Sequence, residues 1–226
     1  TTNTNWQSYA GEAGAGHTVQ MVGLTVQNFV SAATGLAVAA ALMRGIARQG
    51  ADRLGNFWVD LTRACVRLLL PIAAIAAVLL LVGGVIQNLD APQTITTLAG
   101  QQQAVQGGPV ASQEAIKLVG TNGGGFFNAN SAHPFENPNG WTNLLQIVLI
   151  LLIPFALPWT YGRMVGDRRQ GAVVTAVMAG SFAVSVTLTT WAERAAAVGV
   201  AGSLEGKEMR FGIVPSAIFG AATTST

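Results

Sequence analysis

Four apolar segments dominate the pattern of hydrophobic and polar positions along the chain, and none of them contains Asp, Glu, Lys, Arg or His. They are residues 22–43, 68–87, 141–162 and 171–192. Each is about 20 residues long, which at about 1.5 Å of helical rise per residue matches a hydrocarbon core of about 30 Å. A soluble protein can bury one such helix, but not four in succession. The pattern therefore predicts an all-α integral membrane protein with four spanning helices.

The composition agrees with a membrane location, and the basic residues predict an orientation. Of the 226 residues, 50% are hydrophobic and 10% are charged, against about 25% charged residues in soluble domains. Most basic residues fall within 44–67 and 163–170, which the positive-inside rule places in the cytoplasm. Residues 88–139 and 193–226 are then extracytoplasmic, as the alternation of four spans also requires. The net charge of +2 is not a signature of nucleic-acid binding.

A polar, glycine-rich segment at 119–128 separates a short helical pattern at 109–118 from the third apolar segment. Lipid offers no hydrogen bonds, so irregular backbone at membrane depth survives only where it lines a cavity or packs against protein. The three consecutive glycines accept positive and negative φ at little cost. Their carbonyls can therefore turn toward one axis, as in a cation pore. A flexible external turn is the alternative.

Thr-rich segments recur at both ends of the chain, and we therefore expect it to be part of a longer protein. One precedes the first span, and another follows a second short helical pattern at 213–222. The repeating unit is a spanning helix, an outer loop, a short helix, a Thr-rich loop and a spanning helix. Pro109 and Pro215 suit the first turn of the short helices, which at about 15 Å reach halfway across a bilayer. We expect re-entrant helices whose carboxyl ends favour a cation; ordinary surface helices are the alternative.

Two other polar patterns allow structural interpretations. The side chains of Gln20, Gln27, Ser31 and Thr34 share one face of the first span, where they suit either a pore wall or hydrogen bonds between helices. Off that face, Asn28 has a structural role. The helical spacing of apolar residues within 50–62 predicts a helix lying in the membrane interface, with Trp58 at headgroup level.

The chemistry that the chain lacks narrows its function. The apolar segments hold no carboxylate or histidine, which a proton-coupled carrier usually needs. Carbonyls, hydroxyls and helix ends suit a monovalent cation such as potassium better than a divalent one, which prefers carboxylates. The segment 133–138 contains His133 and Glu136 together with two prolines, Pro134 and Pro138, which predicts an external cap rather than a metal site. We find no pattern typical of an ATP site or a nucleophile–base pair, and Cys65 is a single apolar filler without a disulfide partner.

Over its full length the chain resembles the potassium-translocating A subunit family of the bacterial Kdp complexes, which are potassium-importing P-type ATPases. The resemblance rests on TNTNWQSY at 2–9, LGNFWVDLTR at 54–63, GPVASQEAIK at 108–117, GTNGGGFFNANS at 120–131 with its continuation to residue 138, and the segments 166–171 and 205–208. Together these segments are far more specific than a single glycine cluster.

The resemblance implies the architecture of the superfamily of K⁺ transporters, in which four helix–pore loop–helix units surround one selectivity filter. Residues 1–66 would hold the end of a first pore loop, the first span and a cytoplasmic segment, and 67–170 a complete second unit. Residues 171–226 would hold the first helix, pore helix and start of the filter loop of a third, so the architecture is incomplete here. The filter residues implied are Thr2, Asn3, Thr4, Asn5, Thr121, Asn122, Gly123, Gly124, Gly125, Thr223, Thr224, Ser225 and Thr226.

The resemblance also implies a division of labour. This subunit would bind and translocate K⁺ through backbone carbonyls, without a catalytic site. A separate P-type ATPase subunit would use ATP, with small accessory membrane subunits, in the bacterial inner membrane. Two alternatives remain open: a channel-like cation transporter of the same superfamily that needs no ATPase, and a membrane scaffold whose glycine loop is only a turn.

Overall fold

A computed structural model describes residues 9–48, 53–195 and 209–226. Helices account for most of these residues. In chain order the elements are α1 (Gly11–Gly14), a π-helical stretch (Val19–Leu24), α2 (Thr25–Ala47), α3 (Phe57–Arg63), a second π-helical stretch (Ala64–Leu69), α4 (Leu70–Val82), β1 (Gln93–Thr96), β2 (Gln102–Val105), α5 (Val110–Val119), α6 (Gly140–Met164), α7 (Arg168–Ala195) and α8 (Ile213–Thr224).

The four predicted spans are confirmed as helices long and apolar enough to cross a membrane. They are Val19–Ala47, Phe57–Val82, Gly140–Met164 and Arg168–Ala195. At most 28% of the most apolar stretch of any span is buried, so most of the span surface is available to lipid or to other protein. The described part of the chain is therefore a multi-pass, mainly helical membrane protein.

The helical spacing predicted within 50–62 is confirmed from Phe57 onward, where the helix forms the first part of the second span. Its location in the membrane interface stays a prediction. The helix starts at Phe57 and runs through the π-helical stretch into α4 without a break. Asn56 caps it, because its side chain accepts a hydrogen bond from the backbone N–H of Val59 at 3.2 Å. Asp60 pairs with Arg44 of α2, with one N–O distance of 2.8 Å. This pair attaches the start of the second span to the end of the first.

A two-stranded antiparallel hairpin lies between α4 and α5 and was not predicted. Strand β1 pairs with β2, with Gln93 opposite Val105 and Thr96 opposite Gln102. Seven of the eight strand residues are exposed, so the two strands show no alternation of apolar and polar burial. Alternation is the sequence signal of a half-buried strand, and its absence explains why the hairpin was missed.

Two half-length helices pack among the spans. In α5, eight of ten residues are buried, and the helix contacts α2, α4 and α6. It is therefore not an ordinary surface helix. Pro109 is the N-cap rather than a residue of the first turn. The second half-length helix, α8, extends to Thr224 and packs on α6 and α7, so it is two residues longer than the predicted pattern.

Asn139 begins α6 with a reciprocal cap. Its side chain accepts a hydrogen bond from the backbone N–H of Thr142 at 3.0 Å, while the Thr142 hydroxyl accepts one from the backbone N–H of Asn139 at 3.1 Å. The amide nitrogen of Asn139 also donates to the carbonyl oxygen of Gly83 at 2.7 Å. This hydrogen bond joins the end of α4 to the start of α6, the two elements between which α5 lies in the sequence.

Candidate functional site

The loop that follows α5 has an unusual backbone. We call residues 120–131 the glycine loop. Gly123, Gly124 and Gly125 have consecutive positive φ values of 71°, 71° and 145°. Glycine is the residue that adopts these conformations without steric penalty. The positive φ values therefore explain why three consecutive glycines occupy this part of the loop. Four further loop residues have positive φ: Thr121, Asn128, Asn130 and Ser131.

Gly125 lies between two buried carboxylates. A Cβ atom built at this position would be 2.6 Å from Oε1 of Glu136 and 3.1 Å from Oε1 of Glu114. Both acidic residues are completely buried. A side chain at position 125 would therefore displace a charged group as well as strain the backbone.

Lys117 connects α5 to the glycine loop. Its Nζ lies 2.8 Å from each carboxylate oxygen of Glu114. It also donates to the carbonyl oxygen of Gly124 at 3.2 Å and to the hydroxyl of Ser131 at 2.6 Å. Only 1% of the Lys117 surface is exposed. The last turn of the half-length helix is thus attached to both halves of the loop.

Glu136 holds the second half of the loop. Its carboxylate accepts hydrogen bonds from the backbone N–H of Phe127 at 3.0 Å and of Ser131 at 3.1 Å. Its own carbonyl accepts from the Gln146 amide of α6 at 2.9 Å. Glu136 is therefore a buried support of the loop, and the prediction of a cap that includes it is wrong for this residue.

Aromatic rings within the glycine loop and just after it pack against one another. His133 stacks on Phe127 with ring centroids 3.8 Å apart. Burial lowers the pKa of His133; the nearby Arg210 guanidinium acts in the same direction, and Glu12 opposes it. The backbone N–H of Phe135 donates to Nδ1 of His133 at 3.1 Å, which requires the unprotonated nitrogen. The geometry and the pKa direction both favour a neutral imidazole.

A cavity of about 450 Å³ brings two of the predicted filter segments together. Its walls include Thr121, Asn122 and Gly123 of the glycine loop, and Thr223, Thr224 and Thr226 at the end of α8. Lys117, Leu118, Asn130 and Ile150 complete the lining. The lining residues contribute hydroxyl, amide and carbonyl oxygens and no carboxylate.

The remaining predicted filter residues have other positions. Gly124, Gly125 and Ser225 do not line this cavity, and the carbonyl of Gly124 is bound by Lys117. Thr223 and Thr224 belong to the last turn of α8, and Ser225 is its C-cap, so this segment is a helix end rather than an extended loop. The predicted filter residues Thr2, Asn3, Thr4 and Asn5 lie outside the described residues.

The polar face of the first span makes hydrogen bonds to other elements and borders a cavity, while its role as a pore wall stays a prediction. The Gln20 side chain accepts a hydrogen bond from Gln113 of α5 at 2.8 Å, and Ser31 accepts one from the amide of Asn122 at 2.9 Å. Thr34 and Ser31 also line a larger, mainly apolar cavity of about 730 Å³. That cavity reaches Thr121 and Thr226, so it adjoins the same loop ends.

Arg210 links the region before α8 to the segment after the glycine loop. Its guanidinium donates to the carbonyl oxygens of Asn137 at 2.7 Å and of Ala132 at 2.9 Å. The amino-terminal end of α8 is thus joined by hydrogen bonds to the segment that follows the glycine loop. Within the described ranges there is no cluster of three or more His, Cys, Asp and Glu residues that could hold a metal ion.

Sequence reasoning missed the charged residues that support the site. Glu114, Lys117 and Glu136 lie outside the four apolar segments, and we expected no charged group to contribute there. The available signal was the spacing of Glu114 and Lys117, three residues apart on a short helix that ends at the loop. Side chains at this spacing are neighbours on a helix, although the spacing does not reveal that both are buried.

Comparison with known proteins agrees with the resemblance over the whole chain. The family described as the potassium-transporting ATPase A subunit matches residues 1–226. Relatives named potassium-transporting ATPase potassium-binding subunit include those of Kineococcus radiotolerans, 60% identical over 99% of this chain, and Clavibacter michiganensis, 59% identical over 100%. The relative from Frankia alni is 53% identical over 100% of the chain.

The matched relatives are considerably longer than this chain. The chain spans 41% of the length of the first two relatives and 45% of the third. The match over residues 1–226 nevertheless covers the glycine loop, both half-length helices and all four spans. The chain belongs to the potassium-transporting ATPase A subunit family.

Proposed function

We propose that this chain is part of the K⁺-binding and K⁺-translocating subunit of an ATP-driven K⁺ uptake complex. The carrying observation is the cavity of about 450 Å³ lined both by the glycine loop and by the threonines that end α8. Two half-length helices end at one cavity, and their carboxyl ends carry partial negative charge. That arrangement favours a cation between them.

The chemistry of the lining supports a monovalent ion. Thr121, Asn122 and Gly123 offer neutral oxygens, as do the threonines of α8. Neutral oxygen dipoles can replace the hydration shell of K⁺, whereas Ca²⁺ sites use carboxylates and Mg²⁺ retains much of its water. The filter proposed here consists of the thirteen residues identified from the sequence, with the described part of it divided between the loop and the end of α8. Within that part, Gly124 shapes the loop, because its carbonyl accepts a hydrogen bond from Lys117. The missing part of the ring would come from the remainder of the full-length protein.

The relatives' names support a role within a larger complex. They are named as the potassium-binding subunit of a potassium-transporting ATPase. We assign ATP hydrolysis to a catalytic P-type ATPase subunit and place small accessory membrane subunits beside it. The complex resides in the bacterial inner membrane, with the pore loops on the extracytoplasmic side, as the distribution of basic residues predicts.

Potassium-limited growth of a strain without its own K⁺ uptake systems tests the function. The full-length protein with its ATPase partner is expected to restore growth and K⁺ uptake, and Gly124→Asp to lower K⁺ affinity or K⁺/Na⁺ discrimination. Uptake by the full-length protein without the ATPase subunit would instead support a channel-like transporter.

Loop variants separate a filter from a simple turn. Under the proposed function, unchanged uptake kinetics and discrimination in Gly124→Asp would refute the role of the glycine loop. A scaffold whose glycine loop is only a turn predicts that ion-dependent stabilisation is missing and that Gly123→Ala leaves transport intact. The matched control is Gly100→Ala in the hairpin, where an added Cβ has no heavy atom within 4 Å.

A further inference from the structure

The ammonium group of Lys117 has a complete set of partners within the protein. An ammonium offers three donors, and the three acceptors here are the Glu114 carboxylate, the Gly124 carbonyl and the Ser131 hydroxyl, at 2.8, 3.2 and 2.6 Å. The Ser131 hydroxyl in turn donates to Glu114 at 2.8 Å. The charge is therefore enclosed by oxygen atoms.

These acceptors come from three separate parts of the site. Glu114 belongs to α5, Gly124 to the first half of the glycine loop and Ser131 to its second half. The loop is thus wrapped around the ammonium as it would be around a bound monovalent cation. Because Gly124 directly follows the cavity-lining residues Asn122 and Gly123, fixing its carbonyl also fixes the orientation of the peptide units beside the cavity.

We propose that Lys117 is the positioning residue of the glycine loop. Its covalently attached cation holds Gly124 and Ser131 in place, so that the cavity-lining part of the loop can bind the transported ion. The inference rests on the proposed function, because it concerns the same site. A Lys suits this place better than an Arg, since its compact ammonium is a point charge, whereas a guanidinium is a planar fork. Lys117 also borders the cavity, but the three donors of its ammonium are directed at Glu114, Gly124 and Ser131, so it acts on the transported ion through the loop.

Replacing Lys117 alone would change both the position of the loop and the stability of the protein, so its effect on transport could not be assigned to either. Lys117→Met alone leaves the Glu114 carboxylate buried without its counter-charge, which is strongly destabilising. Replacing both members of a buried pair can be nearly neutral. The decisive variant is therefore Lys117→Met combined with Glu114→Gln, which removes both charges and keeps similar side-chain volumes. Ser131→Ala is a milder second variant, because it removes one ligand of the ammonium and leaves the ion pair in place.

The experiment measures K⁺ uptake by the full-length protein in its complex, together with K⁺/Na⁺ discrimination and the yield of assembled complex. We expect the double variant to assemble, with the KM for K⁺ raised about tenfold, equivalent to about 1.4 kcal/mol. Discrimination against Na⁺ should fall, while the maximum rate stays within about twofold of the original, as for a loss of uniform binding. Ser131→Ala should change the KM and discrimination in the same direction by a smaller factor.

Asp60→Asn is the matched control, because it breaks the other described ion pair, which joins α2 to the second span away from the loop. It should leave the KM and discrimination unchanged. A double variant with the original KM and discrimination would overturn the inference and leave the proposed function standing. If the double variant does not assemble, Ser131→Ala decides by the same two measurements. Absence of K⁺-dependent uptake in the unaltered complex would overturn the proposed function itself.

Discussion

Gly125→Ala is the sharpest probe of the glycine loop. The added Cβ would lie 2.6 Å from Oε1 of Glu136, and φ at this position is +145°. The backbone conformation costs a non-glycine residue about 1–3 kcal/mol. Moving the Glu136 carboxylate also weakens its hydrogen bond from the Phe127 N–H, and a bond to a charged acceptor contributes about 1.5–3 kcal/mol. We expect a combined destabilisation of about 2.5–6 kcal/mol.

Two other glycines provide the controls for this prediction. Gly123 has positive φ, but an added Cβ would have its nearest neighbour at 4.0 Å; Gly100 has positive φ, and an added Cβ would have no heavy atom within 4 Å. Each alanine variant should show only the backbone cost, about 1–2 kcal/mol. The assay is the thermal midpoint of the purified full-length complex, read together with the KM for K⁺. Equal midpoints and equal KM values for Gly125→Ala and Gly123→Ala would refute the proposed steric and electrostatic role of position 125.

Three further predictions concern the supports of the site. Asn139→Ala should destabilise the protein by about 0.5–2 kcal/mol through loss of the α6 cap, measured as a lower thermal midpoint; an unchanged midpoint would show that the cap contributes nothing. Alanine variants of Asn122 and Ser31 should show a coupling energy of about 0.5–1.5 kcal/mol in a double-mutant cycle of unfolding, and strictly additive effects would contradict their hydrogen bond. Because the pKa of His133 is lowered on folding, the unfolded state binds more protons, and stability should fall as the pH drops below the ordinary histidine value of about 6.5. His133→Asn should reduce that dependence, and an identical pH profile for the two proteins would exclude this residue as its source.

The sequence predicts the spans well because their signal is local. Lipid demands about 20 consecutive apolar residues for each helix, and each of the four segments is helical over most of its length, although the second helix ends at Val82 rather than at residue 87. The same rule misplaces the start of the second span. It counts Asp60, Arg63 and Arg67 against the helix, although Asp60 is neutralised by Arg44 from the neighbouring span. A pairing between distant residues is not visible in a window of local hydropathy.

The features of the candidate site also divide into those that follow from local sequence and those that depend on distant contacts. Positive φ at the glycines is a local property, and the Gly-Gly-Gly sequence shows that the backbone can adopt it. Burial of Glu114, Lys117 and Glu136 depends on α2, α4 and α6 enclosing α5, which no local pattern specifies. The shared wall formed with Thr223 and Thr224 joins segments about a hundred residues apart, and only the fold brings them together.

Arg210 anchors the start of the helix whose end forms one wall of the cavity. It holds the chain just before α8 against the carbonyls of Ala132 and Asn137, while the opposite end of α8 carries the threonines of the cavity wall. A helix of 12 residues is about 18 Å long, so it acts as a lever anchored near one end. A tilt of about 5° about that anchor would move the threonines by about 1.5 Å. The distance between the two cavity walls therefore depends on the tilt of α8, and Arg210, which anchors its start, is not part of the lining.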